Sequence, residues 1–184
     1  WAGCRFSVRP TLPKLTGKLY AGIKFSTDGT SCALAVACRT KDNAIFVEAI
    51  GCHPTRDGSG WLLDFLSKAD LAAVAVDGAS GQQLLADAMK AAHLRSPVLP
   101  TVKQVITANA AFEQALFAQA LCHAGQPGLA QAASNCEKRA IGSNGGFGYR
   151  SLTEGGHIEL LDSVILAHWQ CAEGKGKRRQ RIRY

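Results

Sequence analysis

The stretch Leu71–Asp77, LAAVAVD, constrains this chain more than any other. Its residues are apolar on both faces until the final acid, which is how a strand buried on both sides of a sheet reads. Asp77 ends the run and is followed at once by Gly78, Ala79 and Ser80. A helical pattern from Gln82 to His93 comes next, with Ser80 as its expected N-cap. A carboxylate at the carboxyl end of a central strand stands at the mouth of an α/β sheet, where ligands bind.

The composition excludes several classes. With 184 residues, 47% hydrophobic and 19% charged, the chain can bury the core of one ordinary domain. No apolar run approaches the roughly 18 residues of a membrane span, and no signal peptide is visible, so no membrane partner is expected. Seven cysteines without a CxxC spacing read as free thiols in a reduced compartment. The formal charge of +7 is concentrated in the last stretch, GKGKRRQRIRY, where Lys175, Lys177, Arg178, Arg179, Arg181 and Arg183 meet no acid. Such a tail suits a polyanionic partner, most simply nucleic acid.

The chain divides into an irregular lead-in over residues 1–18, a folded domain over 19–173 and the basic tail over 174–184. The folded part opens with three strands, Leu19–Ser26, Cys32–Arg39 and Ala44–Ile50, joined by the turns Thr27–Thr30 and Lys41–Asn43. A short helix, Trp61–Lys68, precedes the Asp77 strand. Beyond the Gln82–His93 helix, Val98–Val102 reads as an edge strand interrupted by Pro100. Ala108–Ala124 reads as a long helix with Phe112, Leu116, Phe117 and Leu121 on one stripe. A loop with a short helical piece leads to the glycine-rich stretch Lys138–Tyr149, a flexible hairpin or flap. Ile158–Gln170 closes the domain as a helix. An antiparallel meander followed by alternating helices and strands is the order of a ribonuclease H-like α/β fold. That fold has a mixed five-stranded sheet flanked by helices, and it supports carboxylate clusters that hold two divalent metals.

The candidate acids are few. Asp162 lies one turn inside the apolar closing helix, with Glu159 three residues before it on a shared face. Asp77 and Asp162 are the first two candidates for a metal-binding cluster. The third position belongs in the first strand, where GIKFS places Lys24, and a protonated lysine ligates no metal. Asp28 in the turn and Glu48 in the third strand are the two acids available to complete the set. Lys138, Arg139 and Arg150 border the glycine-rich hairpin and suit phosphate contacts. His123, at a helix end, and His157, near Asp162, are isolated; His157 is a weak candidate for the edge of the site. No GxxxxGK[ST] phosphate loop occurs.

Five stretches together carry a resemblance: GIKFSTDG, VAVDGASGQQLL, LCHAGQPGL, KRAIGSNGGFGYR and HIELLDSVILAHW. In this order the chain resembles the C-terminal nuclease domain of the large terminase subunit of tailed double-stranded DNA bacteriophages. The resemblance implies a metal-dependent endonuclease that cuts concatemeric double-stranded DNA when packaging starts and ends in the cytoplasm of the infected bacterium. It implies Mg²⁺ or Mn²⁺ in a two-metal site, with one ion activating water and the other stabilising the leaving oxygen. The implied partners are a packaging ATPase domain of the same polypeptide, outside this sequence, together with the portal and the small terminase subunit. The family's second acid falls on Asp77 and its last on Asp162. Its first falls on Lys24, where this sequence departs: either an engineered inactivation, or a natural variant in which Asp28 supplies the carboxylate.

Other readings remain open on the sequence alone. A Holliday-junction resolvase or recombinase of the same fold would prefer branched DNA. A DNA-binding module, with Lys24 supplying its own charge at the metal position, would bind DNA without cutting it. An enzyme built on Cys38 or His123 is the remote third.

Overall fold

The structure, a computed structural model, describes residues 15–143 and 145–174. Most of the expected lead-in and the six basic residues of the tail lie outside the described residues. The elements run β1 (Leu15–Phe25), β2 (Ser31–Thr40), β3 (Ile45–Pro54), α1 (Gly60–Lys68), β4 (Leu71–Asp77), α2 (Gln82–Ala91), α3 (Val102–Phe117), β5 (Leu121–His123), α4 (Pro127–Ser134), β6 (Cys136–Ile141), β7 (Gly146–Ser151) and α5 (Glu159–Glu173). A single 3₁₀ turn, Thr55–Asp57, joins β3 to α1.

Five strands form one mixed sheet in the order β4-β1-β2-β3-β5. β1, β2 and β3 are antiparallel, while β4 joins β1 and β5 joins β3 in parallel. The expected α/β sheet is therefore present, with one difference in its fifth member. Val98 makes only an isolated bridge to Ala75, and the fifth strand is Leu121–His123. That segment was expected to be the end of a long helix. The helix instead starts earlier, at Val102, where Thr101 and Gln104 form a reciprocal capping box. It ends at Phe117, and Gln119 turns the chain with a φ of 53°. Phe117, expected on the buried stripe, is 73% exposed.

Strand alternation sorts side chains between the two faces of the sheet. Ala21, Ile23, Phe25, Leu34, Val74 and Val76 face α1 and α2, where they pack with Leu62, Leu66, Leu85 and Met89. Ala35, Ala37, Val47 and Ala75 face the other way, toward α3, α4 and α5. On that second face β1 presents Gly22 and Lys24, and β4 presents Asp77. The small residues let α5 lie close across the middle of the sheet. It buries Leu161, Val164, Ile165, Ala167 and Trp169 there. Arg39 of β2 holds the end of α5 by donating to the carbonyls of Cys171 (3.2 Å) and Ala172 (3.3 Å).

Two local devices finish the frame. The amide of Gln126 donates to the Ala49 carbonyl (2.7 Å) and accepts from the Ala49 amide (2.8 Å). It thereby completes the edge of β3 where β5 stops. Ser80 does not cap α2. Its hydroxyl donates to the Ser26 carbonyl (2.8 Å), tying the loop after β4 to the end of β1, and Gly81 takes the cap position. β6 and β7 form a separate antiparallel hairpin packed on α3. Among the described residues no helix is long and apolar enough to cross a membrane.

Candidate functional site

β1 and β4 run parallel as neighbours, and their register pairs Lys24 directly with Asp77 at their carboxyl ends. Both side chains are about one fifth exposed, and the Lys24 ammonium is bonded to Asp77 Oδ2. Asp162 reaches the same point from the first turn of α5, where a negative charge suits the helix dipole. Burial disfavours the charge of Lys24, but the Asp162 and Asp77 carboxylates more than offset this. Its pKa ends above the ordinary lysine value, so the ammonium is charged at neutral pH. Burial pushes the Asp162 carboxyl up to about 6, against the pull of Lys24 and with the repulsion of Asp77 and Glu159 added.

The hairpin covers this trio. Arg139 on β6 lies over Lys24 and Asp162, and its Nε donates to the Tyr149 carbonyl (3.3 Å). Cavities of about 510 and 390 Å³ open on either side, and both are bordered by Lys24 and Arg139. The cleft thus alternates in sign: ammonium and guanidinium against two carboxylates.

The other expected basic contacts are tied to acids. Lys138 donates to Glu113 Oε2 of α3 (2.8 Å) and lies 4.3 Å from the centre of the Phe147 ring. Tyr149 donates its hydroxyl to the other oxygen of Glu113 (2.9 Å). Arg150 is paired with Glu137 across the hairpin (2.7 Å), although it also borders the cleft. Glu113 therefore ties both strands of the hairpin to α3 as a hood over the cleft. Nothing in the sequence singles out Glu113. It is one acid on a long helix, and only the tertiary fold gives it two partners.

The remaining candidates fall outside the trio. Asp28 borders the outer cavity, but its Oδ1 accepts from Ser26 Oγ (2.6 Å), Thr30 N (3.0 Å) and Thr30 Oγ1 (2.8 Å). These bonds hold its carboxyl down at about 2 and tie Oδ1 to the β1–β2 turn. Glu48 pairs with Val36 in the middle of the sheet and does not line the cleft. His157 Nδ1 stands 3.3 Å from Glu159 Oε2 and 3.4 Å from Ser31 Oγ. Because both partners meet the same ring nitrogen, they cannot relay a proton through the ring. His123 lies on β5 at the far edge of the sheet, where its Nδ1 accepts from the Gly125 amide (2.9 Å). Cys38 is buried in β2. Burial pushes the Cys32 thiol up to about 12 and raises those of Cys52 and Cys136, which works against thiolate chemistry there.

Sheet order and helical layers together define a ribonuclease H-like fold. Among solved structures it is shared with large terminases. The HK97 bacteriophage large terminase matches with a TM-score of 0.66 at 15% identity, covering 88% of this chain and 41% of the HK97 chain. This chain thus spans about two fifths of that protein. The large terminase nuclease from thermophilic phage G20c matches with a TM-score of 0.57 at 15% identity, covering 90% of this chain and 97% of its own. The Thermus phage P74-26 large terminase nuclease domain matches with a TM-score of 0.54 at 15% identity, covering 93% and 97%. A further G20c structure contains bound magnesium. No family model matches the chain, and no curated protein matches it in sequence.

The residues in this cleft do not suit the two-metal centre that the resemblance implies. Among the described residues no three His, Cys, Asp or Glu side chains come together to hold a metal. The place beside Asp77 where an acid is expected carries Lys24, already bonded to Asp77.

Proposed function

We propose that this chain is the nuclease-fold domain of a phage large terminase and that it engages concatemeric double-stranded DNA during packaging. The observation that supports this reading most is the cleft at the carboxyl ends of β1 and β4. It carries Lys24, Asp77 and Asp162 under the Arg139 hood, in a fold shared with terminase nuclease domains.

In this reading Arg139 and Arg150 meet the duplex at the lip of the cleft and contact phosphates, with little reading of bases. Lys24 sits deeper and balances the two acids, so the floor does not repel the backbone. The basic tail adds affinity without sequence preference, and the bound state weakens steeply as salt rises. Endonucleolytic cutting in Mg²⁺ or Mn²⁺ is the further activity of the resemblance, and it is tested separately from binding. The packaging ATPase of the same polypeptide, the portal and the small subunit belong to this reading as partners.

Fluorescence anisotropy with linear duplex, single-stranded and four-way-junction DNA tests it. Duplex binding is expected, with at least a tenfold loss on Arg139→Glu. A strong preference for junctions would favour a resolvase, and failure to bind any of the three would overturn the proposal. Nicking of supercoiled plasmid, read in parallel with each metal, reports whether this chain also cuts.

A further inference from the structure

We infer that Lys24 is the resident cation of this cleft: its ammonium takes the place of a bound divalent metal and makes the site a metal-independent cradle for a phosphodiester. The inference rests on the proposal that the cleft engages DNA, and it concerns how the site handles charge.

Three observations carry it. The first is register. Lys24 and Asp77 are opposite one another on parallel strands and on the same face of the sheet, so the pair is built into the backbone and not reached by chance. The second is geometry. The ammonium is bonded to Asp77, Asp162 lines the same cavity, and the side chain is about four fifths enclosed. A divalent ion shared by these two acids would have to sit against a fixed positive charge. It would also compete with an ion pair that needs no dehydration of a metal. The third is the missing third ligand. Asp28 is tied to its turn through Oδ1, and among the described residues no three His, Cys, Asp or Glu side chains come together to hold a metal.

At the floor of the cleft Lys24 and Arg139 offset Asp77 and Asp162, while Glu159, Asp28 and Arg150 border the outer cavity. Lys24 keeps N–H donors beyond the one that meets Asp77, and Arg139 keeps its terminal nitrogens beyond the Nε that meets Tyr149. These donors border the two open cavities, which is where a phosphate oxygen would find them.

The test uses the whole chain, Mn²⁺ as the metal probe and a short labelled duplex. Isothermal titration with Mn²⁺ is expected to show no saturable site below millimolar concentration in the parent. Lys24→Asp is expected to gain one, and Lys24→Asp/Asp162→Asn to lose it again. Duplex affinity at matched ionic strength is expected to agree within twofold in EDTA and in Mg²⁺. It should fall at least fivefold in Lys24→Gln and be kept in Lys24→Arg. A stoichiometric Mn²⁺ site in the parent that Asp77→Asn abolishes would overturn the inference and leave the DNA reading standing. A folded Lys24→Asp that gains no Mn²⁺ site would overturn it as well. If Lys24→Asp does not fold, the parent titration and the Lys24→Arg and Lys24→Gln comparison still decide. Loss of duplex binding in every form, with no Mn²⁺ site in the parent, would instead remove the DNA reading.

Discussion

Gly22 of β1 and Ala167 of α5 approach so closely that a β-carbon on Gly22 would stand 2.5 Å from the Ala167 amide nitrogen. It would also lie 2.9 Å from the Leu166 β-carbon. This contact sets the height of α5 above the sheet two residues before Lys24, and so brings Asp162 down to the ion pair. Gly22→Ala must lift the helix or bend the strand, and overpacking of this kind costs about 1–3 kcal/mol or more. Urea unfolding should show a loss of at least ~2 kcal/mol. A loss under ~0.5 kcal/mol would mean that α5 is free to shift.

Lys24 and Asp77 should be strongly coupled energetically. Removing one partner of a mostly buried pair leaves the other uncompensated, at roughly 3–5 kcal/mol. Lys24→Met and Asp77→Asn should each destabilise by about 3 kcal/mol, and the double variant by clearly less than the sum, with a coupling of about 1–3 kcal/mol. Additive losses in a urea-unfolding cycle would show that the two groups do not depend on each other.

His168 makes the fold sensitive to acid. It is 2% exposed and meets the Phe112 ring edge-on, and burial lowers its pKa to about 4. In the unfolded chain histidine titrates near ~6.5. Between these values the unfolded state binds more protons, so this group's contribution to stability is complete above about 6.5 and lost as pH falls toward 4. Asp162, raised to about 6, acts in the opposite sense over much of the same range, so the comparison must be made between variants. His168→Gln should gain about 2.5 kcal/mol relative to the parent at pH 4.5, as against pH 7.5. An equal gap at the two pH values would mean that His168 is charged in the folded state.

The Glu113 clamp predicts a local effect. Glu113→Gln weakens the bond to the Lys138 ammonium and changes the acceptor for Tyr149, at a cost of about 1–2 kcal/mol. Amide exchange should quicken by about tenfold in β6 and β7 while the central strands keep their protection. Unchanged exchange in the hairpin would show that apolar packing of Phe147 and Tyr149 alone holds the hood.

Much of this is legible in the sequence. The unbroken apolar run before Asp77 announced a central strand, and the Asp28-Gly29 turn announced the hairpin next to it. The departure at Lys24 was visible as a basic residue where an acid was expected. β5 was not legible, because three residues are too few to show alternation and they follow directly on a helical stripe. The start of α3 carried a readable signal, Thr101 and Gln104 at capping-box spacing, hidden behind the strand-like Val98–Leu99. Lys138 and Arg150 looked like free phosphate contacts. Their partners, Glu113 and Glu137, are set by tertiary and cross-strand pairing, and local sequence does not report such pairings.

The positions of Leu15 and Gly174 have a practical consequence. Leu15 pairs with Thr40, and the end of α5 is held by Arg39 next to it, while the cleft lies at the other end of β1. Both points therefore sit at the pole of the domain away from the mouth. An attachment made at either point joins the domain by its base, on the side away from the cleft.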